Sequence, residues 1–374
     1  MKQGIGSYEA LREEVDRRAR CKVDIVADVR DVEVSTDGGG IRFKKDIPID
    51  HAYWHLHGGH ALEQMFSHYG IPISYLRRIE ASESKTLIAK NLNHWFQNRN
   101  DDRANRMFRC TTDGSKVTAF LSDQYGRLDD EMVMDSLDPV LDSISEYELG
   151  SCNVNDRYFN LKILLPKLQE EVKVGQIVRG GFMASNCSIG LGTLDFTRFW
   201  EVVMCKNGMV GYRLGDGVHR IHRSIRLPVG ILPQYWNSSV PMAHDIVEDL
   251  REVVTNCTSE EGFKGYIKTM RDATEGEKVR YLDRISDNLK TIPAVEWLGD
   301  KFNLTSAVKV RITNAFLSTG DYSKWGFVNG ITNAANDHPD YDEATQLEEL
   351  GGRILQFNNS QWSDIAHAEY RKAA

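Results

Sequence analysis

The stretch RYFNLKILLP, residues 157–166, decides the fold class, because its apolar side chains alternate with other side chains along the chain. The apolar side chains on one face are Phe159, Leu161, Ile163 and Leu165. Alternation with a period of two is typical of a β-strand. We expect this strand to end at Pro166, because proline cannot donate to a β-ladder. Residues 171–190, punctuated by glycine, predict one or two further strands.

The sequence before this strand predicts a charged helix, short strands, a helical block and then a hairpin. Helical spacing is present at 8–20, at 61–69 and in the two stretches IPISYLRRI and ESKTLIAKNLNHWFQ. MFRCTT and VTAFLSDQY flank the turn DGSK, which is typical of a β-hairpin. The next stretch, LDDEMVMDSLDPVLDSI, has helical spacing, and we expect Pro139 to interrupt that helix.

Beyond residue 230 the pattern becomes helical and acidic. Helical spacing dominates 242–290 and also fits 304–317, 324–336 and 341–356. We therefore predict an α+β fold with a mixed, largely antiparallel β-sheet core and helices, followed by an all-helical C-terminal region. The predicted units are an α+β core domain at 1–230 and a helical acidic region at 231–374.

Composition excludes several classes of protein. The chain has 374 residues, of which 41% are hydrophobic and 27% charged, as in ordinary globular proteins. It contains no run of about 18 apolar residues, so we expect no membrane span. The first residues lack the apolar stretch of a secretory signal. Six scattered cysteines indicate reduced thiols and a cytoplasmic location rather than a disulfide framework.

The net charge of −8 is unevenly distributed. Residues 156–230 carry 11 basic and 6 acidic side chains, whereas residues 231–374 carry 15 basic and 22 acidic side chains. Residues 101–155 are also acidic, with 5 basic and 12 acidic side chains. An acidic chain can still bind a polyanion through a local basic block. The candidate block lies between Cys205 and Arg226, CKNGMVGYRLGDGVHRIHRSIR.

Metal binding is the first function to weigh for this block. Cys187, Cys205, His219 and His222 are of the right types for zinc ligands. Their spacing is wrong, because structural zinc sites usually supply ligands in tight pairs. The histidines between 51 and 68 form no hydrolase pattern either. We predict no metal site in the chain.

Catalytic motifs are also lacking. No P-loop pattern and no G-x-S-x-G occurs, so we expect no nucleotide cofactor and no serine nucleophile of that type. Carboxylates cluster at Asp123, Asp129, Asp130 and Glu131. A metal-dependent nuclease or phosphoesterase using Asp123, Asp129 and Asp130 remains an alternative. The other interpretation is that Asp129 to Glu131 favour the start of a helix.

The basic block itself favours phosphate. In VHRIHRSIR, residues Val218, Ile221 and Ile225 have the spacing of one helical face, which would leave the histidines and arginines on the other. Arginine binds phosphate through two parallel hydrogen bonds. Aromatic residues are interleaved with the cations of 157–213, as single-stranded nucleic acid requires. The alternative is that these rings are core and the arginines pair with acidic segments.

Three stretches resemble a phage- and plasmid-associated family known as domain of unknown function 932. They are AFLSDQYGRLDD (119–130), SNCSIG (185–190) with CKNGMV (205–210), and WGFVNGITN (325–333), followed by His338. The resemblance spans roughly 60 to 340. Gln124 and Gly126 stand at commonly basic positions and Cys187 at a usual serine. The setting of that family implies a relation to phage single-strand annealing proteins.

We therefore expect an ATP-independent, single-stranded DNA-binding and annealing protein that is not an enzyme. The residues expected to hold the phosphates are Lys162, Arg198, Lys206, Asn207, Arg213, His219, Arg220, His222, Arg223 and Arg226. The resemblance implies a homo-oligomer, as a ring or filament, in a bacterial host cell. For the acidic C-terminal region two roles stay open: packing beside the basic groove of a neighbouring copy, or recruiting a host replication or recombination protein. A non-enzymatic host-interaction protein is the remaining alternative.

Overall fold

The computed structural model describes most of the chain. The described residues are 4–36, 39–44, 53–56, 59–82, 84–97, 104–203, 207–211, 218–220, 230–232, 248, 251–252, 254–256, 259–283, 285, 290–336 and 338–369. Their strands form two sheets, and their helices lie before, between and after these sheets.

The first sheet has seven strands and belongs mainly to the N-terminal part. Its strands are β1 (Lys22–Asp28), β2 (Val32–Val34), β3 (Gly40–Phe43), β4 (Trp54–His55), β5 (Asn105–Thr111), β6 (Lys116–Ser122) and β13 (Gly230–Leu232). The spatial order is β13-β1-β5-β6-β4-β3-β2, and only the β4–β6 pair is parallel. The expected hairpin is present, since β5 and β6 pair antiparallel.

Helices cover one face of this sheet. They are α2 (His60–His68), α3 (Ile73–Ala81) and α4 (Lys85–Gln97). Gly70 adopts a φ of +68° just after α2, a conformation that glycine reaches without strain. Pro72 precedes α3 as its N-cap residue. Their buried side chains, among them Phe66, Leu76 and Phe96, pack with strand residues into one hydrophobic core.

The second sheet has six strands, and every pairing in it is antiparallel. They are β7 (Glu148–Val154), β8 (Phe159–Lys173), β9 (Gln176–Asn186), β10 (Leu194–Val202), β11 (Asn207–Val210) and β12 (Val218–Arg220). The order is β11-β10-β9-β8-β7, and β12 pairs with β10 as well. One face packs against α1 (Tyr8–Cys21) and α5 (Asp130–Ser143).

The other face of the second sheet carries the C-terminal helices. These are α6 (Glu260–Asp272), α7 (Pro293–Phe302), α8 (Ser306–Thr319), α9 (Lys324–Asn336), α10 (Tyr341–Leu355) and α11 (Asn359–Ala366). Trp200 and Met209 of the sheet share one hydrophobic core with Phe316, Trp325 and Ile354 of the helices. The predicted units 1–230 and 231–374 therefore share a core.

The motif WGFVNGITN lies in α9 and is buried over most of its length. A Cβ atom at Gly330 would meet the backbone of Phe316 at 2.7 Å, so glycine permits close packing of α8 on α9. The Trp325 indole donates from Nε1 to Gln176 at 2.8 Å. This motif holds the helical region together and fastens it to the second sheet.

Two expectations about proline are wrong. Helix α5 continues through Pro139, because its apolar face is buried at Val133, Leu137 and Val140 and this burial outweighs the cost of roughly 3 kcal/mol. Strand β8 continues through Pro166. There the pairing with β9 shifts register between Leu165 and Gln169, so no ladder hydrogen bond is required of the proline.

The predicted fold class is confirmed: the described chain is α+β, its sheets are largely antiparallel, and its C-terminal part is helical. The predicted helix at 8–20 is observed as α1, and those at 304–317, 324–336 and 341–356 are observed as α8, α9 and α10. Within the described ranges, no helix is both long and apolar enough to cross a membrane.

Candidate nucleic-acid interface

The described parts of the basic block lie along one edge of strand β10. Strand β11 pairs with Phe199–Val202, and β12 pairs with Leu194–Phe196 of the same strand. In this register His219 lies opposite Asp195 and Arg220 opposite Leu194. The block therefore pairs with the second sheet twice, and its residues 205–206, 212–217 and 221–226 lie outside the described residues.

The helix predicted from Val218 is wrong for its first three residues, which form strand β12. The short apolar spacing that suggested a helix cannot be distinguished from a strand over so few residues. Strand pairing with β10 decides the conformation, because it supplies hydrogen-bond partners for the backbone. Residues Ile221 and Ile225 of the predicted helix lie outside the described residues.

Gly208, in the CKNG stretch, is required by close packing. A Cβ atom there would meet the Phe199 ring at 2.8 Å and would clash with the carboxylate of Glu348 on α10. Strand β11 thus lies between its neighbour β10 and helix α10 with no room for a side chain at this point. This contact fixes the position of β11 between β10 and α10.

A cleft of about 1060 Å³ lies beside this edge. Its floor includes Met183, Ser185, Asp195 and Thr197, from β9 and β10, and one end is formed by Val210 and Gly211. Walls come from α8, α10 and the turns before them, including Asn303, Thr305 and Gln346. The cleft and the basic block therefore share strand β10.

The charged side chains that line the cleft are mostly acidic. Among described residues they are the cations of Arg18, Arg157 and Arg353 and the carboxylates of Asp156, Asp195, Asp340, Asp342, Glu343 and Glu349. His338 also lines it, with Nε2 at 3.2 Å from Glu343 Oε2. Phosphate would be repelled by this lining alone, so a polyanion at this cleft would need the cations of the basic block.

Lys162 cannot contact phosphate in this structure, contrary to the sequence-based prediction. Its side chain is fully buried and forms an ion pair with Glu348 of α10. Its Nζ also donates to Thr345 Oγ1 at 3.3 Å and lies 5.1 Å from the Tyr341 ring centroid. The alternation that predicted strand β8 was correct, but this lysine lies on a face that α10 covers.

The side chain of Arg198 is also engaged in contacts within the protein. Its residue is 8% exposed, and Nη2 donates to the Asn256 carbonyl at 3.1 Å. The guanidinium stacks over Tyr266, 4.8 Å from the ring centroid. Arg198 therefore attaches the C-terminal helices to the second sheet, and the prediction that it holds phosphate is not supported by its position.

The remaining predicted contacts are only partly described. Lys206, Arg213, His222, Arg223 and Arg226 lie outside the described residues. Asn207, His219 and Arg220 are placed by their backbone in β11 and β12. Their role in binding phosphate stays a prediction.

The cysteine at 187 has a structural role. It is buried, and its Sγ accepts a hydrogen bond from the Leu191 N–H at 3.3 Å. Burial raises the pKa of the thiol, which disfavours the thiolate that metals prefer. In the part of the chain that the structure describes, no group of three or more His, Cys, Asp or Glu residues is arranged to hold a metal ion.

The predicted carboxylate cluster is part of an ionic network, which we call the charged junction. It consists of Lys22, Asp24, Arg109, Arg127, Asp129 and Glu131. Arg109 pairs with Asp24 through Nε and Nη2, both at 2.8 Å, and its Nη1 lies 2.9 Å from Asp129. Lys22 lies 2.7 Å from Asp129 and 3.0 Å from Glu131.

The charged junction is nearly neutral, with three cations and three carboxylates. Burial opposes ionisation of Asp129, but Arg109, Lys22 and Arg127 hold its pKa well below the usual range. For neighbouring Asp130, burial raises the pKa to about 6. Since Asp129 is engaged by three cations, its charge balances them inside the protein, and a metal ion would have to displace them.

Two of the stretches that carry the family resemblance meet beside the charged junction. Asn186 of SNCSIG donates from Nδ2 to the Leu128 carbonyl at 3.0 Å and to Asp130 at 2.7 Å. The Tyr125 hydroxyl donates to the Cys187 carbonyl at 3.4 Å. Residues 119–130 and 185–190 therefore form one structural unit. Asp123 does not join it through any described ion pair.

The chain matches no family model, no curated protein and no solved structure. The resemblance to a phage and plasmid family thus stays a prediction, and the function of the chain must be argued from its own residues.

Sequence reasoning missed most of the charged junction. Asp24 and Arg109 lie on strands β1 and β5 and face each other directly in the register. The available signal was a charged residue with apolar neighbours on both sides in each of two strands: Asp24 between Val23 and Ile25, and Arg109 between Phe108 and Cys110. Such a pair is recognised only when the strands are known to be neighbours, since charges are seldom buried without a partner.

Proposed function

We propose that this chain binds single-stranded DNA without ATP and promotes annealing of complementary strands in phage or plasmid recombination. The observation that carries the proposal is the position of the basic block, which returns twice to strand β10 beside a large cleft. Phosphates would be held by the block, and bases would lie toward the cleft or solvent, available for pairing.

The proposed contacts are the residues of the basic block, without Lys162 and Arg198. They are Lys206, Asn207, Arg213, His219, Arg220, His222, Arg223 and Arg226. The walls of the cleft are acidic and would repel phosphates. The sugar-phosphate backbone of the DNA would therefore run along the basic block rather than through the cleft. This path would leave the bases outside the protein interior.

We further propose that the chain assembles into a ring or filament in the cytoplasm of a bacterial host. Annealing requires that many nucleotides be presented together, and repeated copies of one basic edge would do this. A host replication or recombination protein is the proposed partner of the acidic helical region. Light scattering of the chain, with and without an oligonucleotide, would report on the assembly.

The double variant Arg220→Ala/Arg223→Ala tests the proposal. We expect weaker binding to a labelled oligonucleotide and a shallower salt dependence, because two phosphate contacts are lost. The slope of log K against log salt should fall by about 1.4, at roughly 0.7 per contact for single strands. Fluorescence anisotropy over a range of salt concentrations measures both quantities.

The matched control removes two cations elsewhere. Lys268→Ala/Arg271→Ala changes the net charge equally at two exposed ion pairs on α6. It should leave the salt slope unchanged. Equal binding by wild type and the Arg220/Arg223 variant at every salt concentration would remove the basic block from the proposal.

Two further assays on the purified protein distinguish the annealing proposal from the nuclease and from the host-interaction protein. Cleavage of DNA with Mg²⁺ or Mn²⁺, lost in Asp123→Asn, would indicate the nuclease. Absence of DNA binding at physiological salt, with capture of a host enzyme, would indicate the host-interaction protein. Neither outcome is expected under the annealing proposal.

A further inference from the structure

Helix α4 presents a largely apolar stripe to solvent beside its buried face. Ala89, Leu92 and Phe96 are fully buried and face the first sheet. Leu87, Asn91 and Trp95 follow at a spacing of four residues and so share one stripe, which runs from the side opposite the core at Leu87 to the border of the core at Trp95. Leu87 is 42% and Trp95 41% exposed, high values for such large apolar side chains.

Aromatic side chains of neighbouring helices extend this stripe. The Trp95 ring stacks on Tyr69, with centroids 6.2 Å apart and an angle of 19° between the planes. Tyr75 of α3 is 40% exposed, and its hydroxyl accepts from Asn91 Nδ2 at 3.5 Å. We call Tyr69, Tyr75, Leu87, Asn91 and Trp95 the aromatic stripe. From Leu87 to Trp95 it runs about 12 Å along the helix.

The charge around the aromatic stripe is positive, in a chain with a net charge of −8. Helix α4 contains Lys85 and Lys90 and no acidic residue. Helix α3 adds Arg77 and Arg78 and one carboxylate, Glu80, and Arg77 lies 3.9 Å from the carboxylate of Glu63 on α2. Lys90 precedes Asn91, and Arg78 lies one turn after Tyr75, so exposed cations border the stripe. The surface therefore complements an anion that carries planar groups.

We propose that the aromatic stripe is a second contact for single-stranded nucleic acid, on which bases stack while Arg78 and Lys90 hold phosphates. Exposed rings beside cations are the elements of sequence-tolerant single-strand binding. A folded protein partner is disfavoured, because a stable interface buries about 800 Å² on each side and only three large apolar side chains are exposed here. This inference rests on the proposed function and adds a site to it.

The test measures binding of a labelled oligothymidine by the full-length chain. Trp95→Ala and Tyr75→Ala should each weaken binding about 5- to 150-fold, which corresponds to the loss of about 1–3 kcal/mol found when a stacking ring is removed. The matched control is Tyr147→Ala, since Tyr147 is 39% exposed but lies away from the stripe. This control should bind like wild type.

Tryptophan emission gives an independent readout. The oligonucleotide should quench the tryptophan emission of the wild-type protein more than that of Trp95→Phe. The difference should equal the contribution of Trp95, the tryptophan on which a base stacks. Trp95→Ala also removes a contact with Tyr69 and so could impair folding. A second variant, Arg78→Ala/Lys90→Ala, tests the stripe without changing an aromatic ring. Its salt slope should fall by about 1.4.

The outcomes separate this inference from the proposed function. If wild type binds and all stripe variants bind equally well, the stripe is not a contact, while the proposed function stands. If wild type does not bind the oligonucleotide, both fail. If Trp95→Ala abolishes self-association but not binding, the stripe is an interface between copies and the inference is overturned.

Discussion

Replacing Lys162 with methionine should lower the free energy of unfolding by about 3–5 kcal/mol. The substitution leaves the carboxylate of Glu348 buried without its cation, since Glu348 is 1% exposed and its described ion pair is with Lys162. A loss of this size is a large part of the total stability of a typical protein, about 5–15 kcal/mol. Urea denaturation followed by circular dichroism measures it.

The double variant Lys162→Met/Glu348→Leu shows how much of this loss comes from the unpaired buried charge and how much from altered side-chain packing. With both charges gone, stability should return to within about 1 kcal/mol of wild type or exceed it, because the desolvation of both ions is removed. The exposed pair of Arg271 and Glu170, 2.7 Å apart, is the matched control. Arg271→Met should lower stability by no more than about 1 kcal/mol. A similar loss in both single variants would show that burial of the ion pair has no special effect.

Asp129→Asn should destabilise the protein by a comparable amount, about 3–5 kcal/mol. The substitution preserves shape but removes a charge that faces Lys22, Arg109 and Arg127. Three cations would then share Asp24 and Glu131. Chemical denaturation at pH 7.5 measures the change in the free energy of unfolding.

Asp130→Asn is the matched control, the same substitution one residue later. Burial already disfavours the charge of Asp130, and an asparagine still accepts the hydrogen bond from Asn186. We therefore expect unchanged or higher stability at pH 7.5. If Asp130→Asn is as damaging as Asp129→Asn, the charged junction is not what makes Asp129 important.

The two aspartates should also differ in pH dependence. Asp129 has a lowered pKa in the folded protein, so its contribution is complete above the ordinary value near 3.9 and is lost as the pH falls below it. Asp130 has a pKa raised to about 6, so the wild type should lose stability as the pH rises from about 4 through 6. Asp130→Asn should abolish this loss. Denaturation curves that extend from below pH 3.9 to pH 7.5 test the difference.

The fold was largely predictable because it follows from local patterns. Alternation in RYFNLKILLP predicted strand β8, and helical spacing predicted α8, α9 and α10 within a few residues of their observed bounds. The errors at Pro139 and Pro166 have one cause. A local rule about proline was outweighed by the burial of a helix face in one case and by a register shift in the other.

The candidate site was less predictable, because it depends on contacts between distant segments. Nothing local to Lys162 indicates that a glutamate 186 residues away will cover it. Arg198 is likewise engaged by the carbonyl of Asn256 and the ring of Tyr266. A count of cations along the chain could locate the basic block. It could not show which of the predicted cations are buried against the C-terminal helices, as Lys162 and Arg198 are.

The pairing of two short strands with one longer strand limits how copies of this chain can associate. Strands β11 and β12 occupy all of β10 except Thr197 and Arg198, and the Arg198 carbonyl accepts from the Gly211 N–H at 2.8 Å. At the opposite border, Ile5 bridges to Cys152 of β7. Short border strands discourage the addition of a foreign strand and the aggregation that follows from it. If the proposed ring or filament forms, we therefore expect it to grow through other surfaces, and not by extension of the second sheet from copy to copy at the border formed by β11 and β12.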